Sequence, residues 1–304
     1  MITRRSALAT LAATPLAAAA SSTPVRLGGP VFLRSADPAD LAHDCRRLGY
    51  TAAYCPSAKI EEPERIAAIQ KAFSTENVVI AEVGAWTNMM DPDRAKRKKS
   101  LDYVTERCAV AEAVGARCCV DYAGSYNPEV PWGAHPRNFS NDFFDGIVEN
   151  CRHVIDAVKP KRTRFTIEME KWSHPSNADT YVKLIQAVDR PNAFAVHLDC
   201  TNIIDTVPKF YNTTAVIDEC FTKLGRWIMS CHAKDVRWVK DSHLHFEECI
   251  PGRGVLDYAA YLRGLSKLPN ETPLMLEHLK LEEEYLEGAT YIRKIAAANG
   301  IRLA

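Results

Sequence analysis

The sequence predicts a single-domain (β/α)₈ barrel preceded by a short N-terminal export signal. Three observations carry this expectation. Eight short apolar runs alternate with eight helical stretches between residues 25 and 300. That count and a length of about 280 residues are what such a barrel requires. No G-x-G-x-x-G fingerprint follows the first run, which weighs against the doubly wound sheet that the same alternation would allow.

The chain opens on a different kind of text. Thr3-Arg4-Arg5-Ser6 precedes a mildly apolar run, Ala7 to Leu16, and then Ala17-Ala18-Ala19-Ala20. A charged start, a short apolar stretch and small residues at the end form the layout of a secretory signal. The paired arginines are of the twin-arginine type, which exports proteins already folded, so residues 1–20 are expected to be removed and the protein to be periplasmic. Residues 21–304 form the expected mature domain. Its 36 basic against 38 acidic side chains give a net charge of −2, where the full chain has 38 of each.

The expected strands are Val25–Leu33, Ala52–Pro56, Val78–Val83, Arg117–Tyr122, Arg164–Glu168, Phe194–Asp199, Trp227–His232 and Pro273–Glu277. Each is a short, mostly apolar run, as strands buried on both faces of a parallel barrel should be. Helical periodicity fills the intervals at Pro38–Leu48, Pro63–Phe73, Pro92–Val114, Asn141–Val158, Asn177–Val188, Ala215–Leu224 and Leu256–Leu265, and Glu282–Ala298 closes the chain. Three consecutive glutamates at 282–284 suit a helix start, where the dipole favours negative charge. No linker or repeat divides the domain. The longest loop, Gly124–Asp142, follows the fourth strand on the face where barrels place their chemistry, and is read as a substrate cover.

Composition narrows the function. Hydrophobic residues make up 47% and charged ones 25%, the balance of a packed globule. Zero net charge, with no basic run beyond Arg94–Lys99, lacks the footprint of a nucleic-acid binder. No apolar stretch reaches the roughly 20 residues of a spanning helix, so no membrane insertion is expected once the signal is removed. The ten cysteines show no CxxC or Cys/His zinc spacing, and Cys118-Cys119 point to opposite faces of their strand. They are read as buried, reduced residues. The oligomeric state stays open, a homo-oligomer included.

Four strands end in metal-ligand residue types: Glu168, Asp199, His232 and Glu277. In a barrel those ends converge on one face, so four single polar groups after four apolar runs point to a site. On strand five Glu168 and Glu170 share a face, which leaves two candidates, with Glu168 preferred.

These residues also carry a resemblance. His232-Ala233-Lys234-Asp235, the turn Pro251-Gly252-Arg253-Gly254, Leu274-Met275-Leu276-Glu277 and Asp199-Cys200-Thr201-Asn202 resemble the sugar phosphate isomerase/epimerase superfamily of xylose isomerase-like barrels. The resemblance runs from about residue 25 to the end. It implies that Glu168, Asp199, His232 and Glu277 bind one divalent cation, and that Glu168 and Glu277 also serve as the acid/base pair. Three carboxylates and an imidazole suit Mn²⁺ first, with Mg²⁺, Co²⁺ or Zn²⁺ as alternatives. Asn202 departs from the family pattern, since many ketose epimerases carry a histidine there, which weighs against simple ketose epimerisation and allows a different substrate.

The resemblance implies proton transfer α to a sugar carbonyl, giving isomerisation or epimerisation through an enediolate. Elimination from an inosose or a 3-keto-glycoside would use the same site. An endonuclease IV-like phosphodiesterase shares the fold but needs more histidines, and a non-catalytic sugar-binding barrel would not need the four-residue set. Trp86 and Asn88 after strand three, with Tyr122 and Trp132 after strand four, are expected either to wall a sugar ring or to pack the rim. His197 shares the inward face of Asp199 and either supports the metal carboxylates or sits as a core histidine. Lys234 is read as a contact to substrate oxygen, Asp235 as a brace for Lys234 or its loop. Arg253 either meets an anionic group on the substrate or shapes a tight turn. His278 is expected to face outward.

Overall fold

The computed structural model describes residues 22–240 and 243–304; the expected signal segment lies outside them. Eight parallel strands close a barrel: β1 Arg26–Gly28, β2 Ala52–Tyr54, β3 Val79–Gly84, β4 Cys118–Tyr122, β5 Arg164–Glu168, β6 Phe194–Leu198, β7 Ile228–Ala233 and β10 Pro273–Leu276. β1 bonds to both β2 and β10, with Leu27 opposite Leu274 and Gly28 opposite Ala52, so no edge is left open. The interposed strands β8 Asp235–Trp238 and β9 Phe246–Cys249 form a separate antiparallel hairpin above the barrel.

The outer ring comprises α1 Pro38–Arg47, α2 Pro63–Thr75, α3 Arg94–Val114, α4 Asn141–Val158, α5 Ala178–Val188, α6 Val207–Tyr211, α7 Thr213–Leu224, α8 Tyr258–Ser266 and α9 Glu282–Ala298. Local chemistry sets their limits. Asp37, Asp93, Ser140, Asn177 and Asp257 accept backbone N–H bonds as N-caps. Gly115 ends α3 in the left-handed conformation at φ +79°. Among the described residues no helix is long and apolar enough to cross a membrane. All ten cysteines are free, eight of them buried.

The β8–β9 hairpin and α6 were not foreseen. β8 and β9 each have four residues, and Arg237, Glu247 and Glu248 give them a polar character that hides a strand pattern. The five-residue α6 is too short for helical periodicity to register. Both lie on the C-terminal side of the strands, and the hairpin shapes the site below.

The hairpin is held from its base. Asp235 accepts backbone N–H bonds from Val236, Gly252, Gly254 and Leu256, at 2.8–3.1 Å. This carboxylate therefore folds the Pro251–Gly254 turn against β8. Glycine is needed at 252, where φ is +93°, and at 254, where a Cβ would collide with the Asp235 carboxylate.

Candidate metal centre

Glu168 closes β5, Asp199 and Glu277 come one residue after β6 and β10, and His232 is the penultimate residue of β7. One ligand atom from each can be chosen so that all four lie within 4.8 Å of one another. His232 Nδ1 stands 3.1 Å from Glu168 Oε1 and 3.0 Å from Glu277 Oε2, while Asp199 Oδ2 lies 3.8 Å away. Asp199 divides its oxygens by task. Oδ1 accepts the N–H groups of Thr201 and Asn202, fixing the turn after β6, and Oδ2 faces the cluster.

Asp199 Oδ2 and Glu277 Oε2 are buried without a well-directed hydrogen bond, although the Lys234 ammonium lies 2.9 Å from each. Three largely buried carboxylates converging on one point, with the Lys234 ammonium and one imidazole among them, fit a further cation. With three carboxylates and one imidazole, the donor set suits a divalent ion. Glu170 contributes nothing to this four-residue set; Asn202 Nδ2 bridges it to Glu168, 3.0 Å from an oxygen of each.

Beneath the cluster lies a residue with no sequence signal. Glu82, in the middle of β3, receives His232 Nε2 at 3.0 Å, His197 Nε2 at 2.9 Å and the Ser230 hydroxyl at 3.0 Å. All four side chains are at most 1% exposed. Barrel interiors are usually filled with branched apolar side chains, yet here the layer under the site is polar. With Nε2–H donated to Glu82, Nδ1 faces Glu168 and Glu277 and is the nitrogen that would give up its proton to a metal.

Above the cluster opens a cavity of about 450 Å³, lined by Glu168, Glu277, Glu170, Asn202, Lys234, Glu248 and His278, with aromatic walls from Trp86, Tyr122, Trp132 and Trp172 and with Lys171 at the rim. Trp86 stacks on Tyr122 at 6.3 Å, and Trp132 meets Tyr122 edge-on at 6.1 Å. Trp86 takes φ +42°, a left-handed conformation unusual for a bulky residue. Its indole lies against Gly84, where any Cβ would strike it.

A family model described as a xylose isomerase-like TIM barrel matches residues 42–295. The chain belongs to that family. Solved structures with the same fold include a D-psicose 3-epimerase with D-tagatose from Clostridium cellulolyticum, at 13% identity and TM-score 0.63, covering 91% of this chain and 100% of that one. A 3-keto-D-glucoside 4-epimerase from E. coli has 13% identity and TM-score 0.63, covering 89% and 99%. Endonuclease IV from Thermus thermophilus has 15% identity and TM-score 0.65, covering 90% and 99%. At such identities the likeness shows the fold. No curated protein matches the sequence.

In this xylose isomerase-like barrel Asp199 and His232 lie buried beneath the cavity lining, and the other expected site residues separate into two groups. Glu168, Glu277, Trp86, Tyr122, Trp132, Asn202 and Lys234 line the cavity; Asn88, His197 and Arg253 do not. Asn88 is buried and binds the Gly124–Asp142 loop instead, donating to Ser125 O and accepting from Ser125 N and Met90 N. Its side chain turns into the loop because that loop's backbone groups need partners. Arg253 forms a two-pronged ion pair with Glu287 at the surface, which satisfies its guanidinium away from any substrate. His197 is fully buried on Glu82.

His278 corrects the outward assignment. Strand alternation stops at Leu276, and a φ of +58° turns His278 into the cavity. There it meets Glu248 Oε2 at 2.8 Å and Glu277 Oε1 at 3.3 Å. Glu248, from the unforeseen hairpin, also binds Lys234 at 3.1 Å. The Gly124–Asp142 loop supplies Trp132 to the wall and is clamped by Asn138, which donates to Ser125 Oγ, Gly133 O and Trp172 O.

The charges are strongly interdependent. Burial opposes ionisation of Glu82, but the His232 and His197 imidazoles outweigh it and hold the carboxyl down at about 2. Burial likewise opposes ionisation of Glu168 and Glu277, yet both are shifted downward, His232 being the leading counterweight in each. Asp199 rises to about 6, chiefly by burial, with Lys234 pulling the other way and Glu168 and Glu277 adding to the rise. Glu170 rises to about 8, through burial first and the neighbouring Glu168 charge second, which favours its protonated form. His232 is raised well above the ordinary imidazole value, its burial outweighed by Glu277, Glu168 and Glu82.

Proposed function

We propose that the protein is a divalent-metal-dependent sugar isomerase or epimerase that moves a proton α to a carbonyl. The observation carrying this reading is the convergence of Glu168, Asp199, His232 and Glu277 at the floor of a cavity walled by aromatic side chains. Those four residues would hold the cation, Mn²⁺ being the first choice for this donor set. When bound, the cation supplies Lewis-acid polarisation of a carbonyl oxygen and so favours loss of the adjacent proton. Trp86, Tyr122 and Trp132 offer flat apolar faces to a ring, while Lys234, Asn202 and His278 present polar groups to its hydroxyls.

Glu168 and Glu277 come from the ends of β5 and β10, which are not neighbours in the barrel, and place an oxygen 3.1 Å and 3.0 Å from His232 Nδ1. Both favour the charged form at neutral pH, so either can take a proton from carbon. Flanking a bound substrate, one would remove the proton and the other return it to the opposite face, which is epimerisation. Glu248 holds Lys234 and His278 in position above them.

A second reading, elimination from an inosose or 3-keto-glycoside, is favoured by one feature. Glu170 lines the cavity outside the four-residue set, where its carboxylic acid can protonate a leaving oxygen. The nuclease alternative is disfavoured, because among the described residues the two clusters that could hold a metal contain between them only the histidines His197 and His232. Incubation of the metal-loaded protein in D₂O with free ketoses, 3-keto-glycosides and inososes separates the cases. Deuterium exchange without loss of sugar supports isomerisation; release of water or aglycone supports elimination. Absence of both across the panel would refute the reading. We further propose that the protein acts after export, on sugars met outside the cytoplasm; this rests on the Arg4-Arg5 segment.

A further inference from the structure

The cavity above the cluster has a neighbour. A second chamber of about 530 Å³ adjoins it and shares Lys171, Trp172 and Glu248 with it. Its remaining walls come from the loop after β6, with Ile204 and Asp205, and from the β8–β9 hairpin, with Leu244, Phe246 and Glu247. Each chamber alone falls within the roughly 300–1,000 Å³ of a small-molecule pocket. Together they exceed what one free monosaccharide needs.

The second chamber is built rather than incidental. Phe246 stacks on Phe210 of α6 at 4.6 Å and 8°, which anchors one hairpin strand to the helix ring. Asp235 pins the other strand at its base. Asp205 and Glu247 hold their carboxylates through Lys209 at 2.8 Å and Arg237 at 2.6 Å. Among the described residues, Lys171 is the single lysine or arginine on the lining, against Asp205, Glu247 and Glu248. Each carboxylate is already paired with a cation, Asp205 with Lys209, Glu247 with Arg237 and Glu248 with Lys234, so the lining offers a phosphate or carboxylate group Lys171 alone. The lining accepts hydrogen bonds from hydroxyls, while Trp172, Leu244 and Phe246 present apolar surface to a ring face.

We propose that this chamber is a second sugar subsite, so that the substrate is a neutral glycoside whose reacting ring sits over the metal centre and whose second ring lies between Trp172 and the hairpin. The proposal rests on the carbohydrate reading above and adds the size and charge class of the substrate. It also gives the hairpin a role: β8 and β9 form a wall that selects a linked second ring.

Binding without turnover tests it. The Mg²⁺-loaded full chain is titrated calorimetrically with methyl β-D-glucoside and with cellobiose, maltose and lactose. At least one disaccharide should bind about tenfold more tightly than the methyl glycoside, a difference of about 1.4 kcal/mol. Leu244→Ser and Asp205→Ala should each reduce that ratio to within about threefold. Because the readout is a ratio of two affinities in one protein, a general folding or metal defect cancels from it. A ratio near one in the wild type, or a ratio untouched by both variants, would overturn the proposal, as would failure of every sugar to bind. Disaccharide preference without solvent exchange would instead overturn the isomerase reading and leave the second subsite standing.

Discussion

Replacing Glu82 by glutamine should weaken metal binding although Glu82 belongs to none of the proposed ligands. The wild-type carboxylate accepts three bonds of 2.9–3.0 Å, two from imidazoles and one from a hydroxyl. Glutamine keeps the volume but has one carbonyl and one amino group. If its carbonyl faces His197 and Ser230, its NH₂ faces His232 Nε2 and demands a lone pair there. The His232 proton then moves to Nδ1, the atom that faces Glu168 and Glu277. If its carbonyl faces His232, the mismatch falls on His197, whose Nδ1 is buried without a partner. Loss of a charged hydrogen bond of this kind costs about 1.5–3 kcal/mol. Loss of a partner behind a metal-binding histidine lowers affinity about 10–100-fold. The assay is calorimetric titration of the chelator-treated protein with Mn²⁺, beside thermal unfolding of the metal-free form. Ser230→Ala, which keeps both imidazole bonds, should stay within about threefold of wild type. Unchanged Mn²⁺ affinity in a folded Glu82→Gln protein would refute the tautomer argument.

Other outcomes follow from the same contacts. Glu277→Gln and His232→Ala should each lose most of their bound metal by elemental analysis, whereas Glu170→Gln should retain it; full retention in the first two, or loss in the third, would reverse the ligand assignment. Glu112 Oε2 accepts the backbone N–H groups of Lys161, Arg162 and Thr163, and despite partial burial these donors lower its carboxyl below the ordinary value. Glu112→Gln should therefore cost about 1 kcal/mol at neutral pH after allowance for solvent screening. Because the folded value is the depressed one, that difference is full above the unfolded pKa of about 4.3 and closes as pH falls through the folded value, which denaturant melts at several pH values can follow. Mass spectrometry of the protein from its native host should find a start near Ser21 in an exported fraction; an intact Met1 in the cytoplasm would contradict the export proposal.

The four-residue cluster was legible because each member is a lone polar group at the end of an apolar run, and a barrel brings such ends together. Lys234 was legible for the same reason, lying two residues beyond His232 in the same phase. Glu82 was not: it sits inside Val79–Gly84, and a single carboxylate in an apolar strand gives no spacing to read. Its importance comes from His197 and His232, which reach it across the barrel from distant strands. His278 was misplaced because period-two alternation fails where a strand ends and φ turns positive. For Asn88 and Arg253 the sequence leaves a substrate contact and a structural role both open, and structural partners, a loop backbone and Glu287, hold their side chains.

The claim that this cluster holds one catalytic cation is tested most directly by titrating metal against solvent exchange. Chelator-treated protein in D₂O, with a ketose or 3-keto-glycoside that the wild type exchanges, is supplied with increasing Mn²⁺ while deuterium at the carbon beside the carbonyl is followed by NMR. Exchange should be absent at first, rise in proportion to added metal and level off at one ion per chain. Exchange at full rate before any metal is added, or none at saturating metal, would contradict the account.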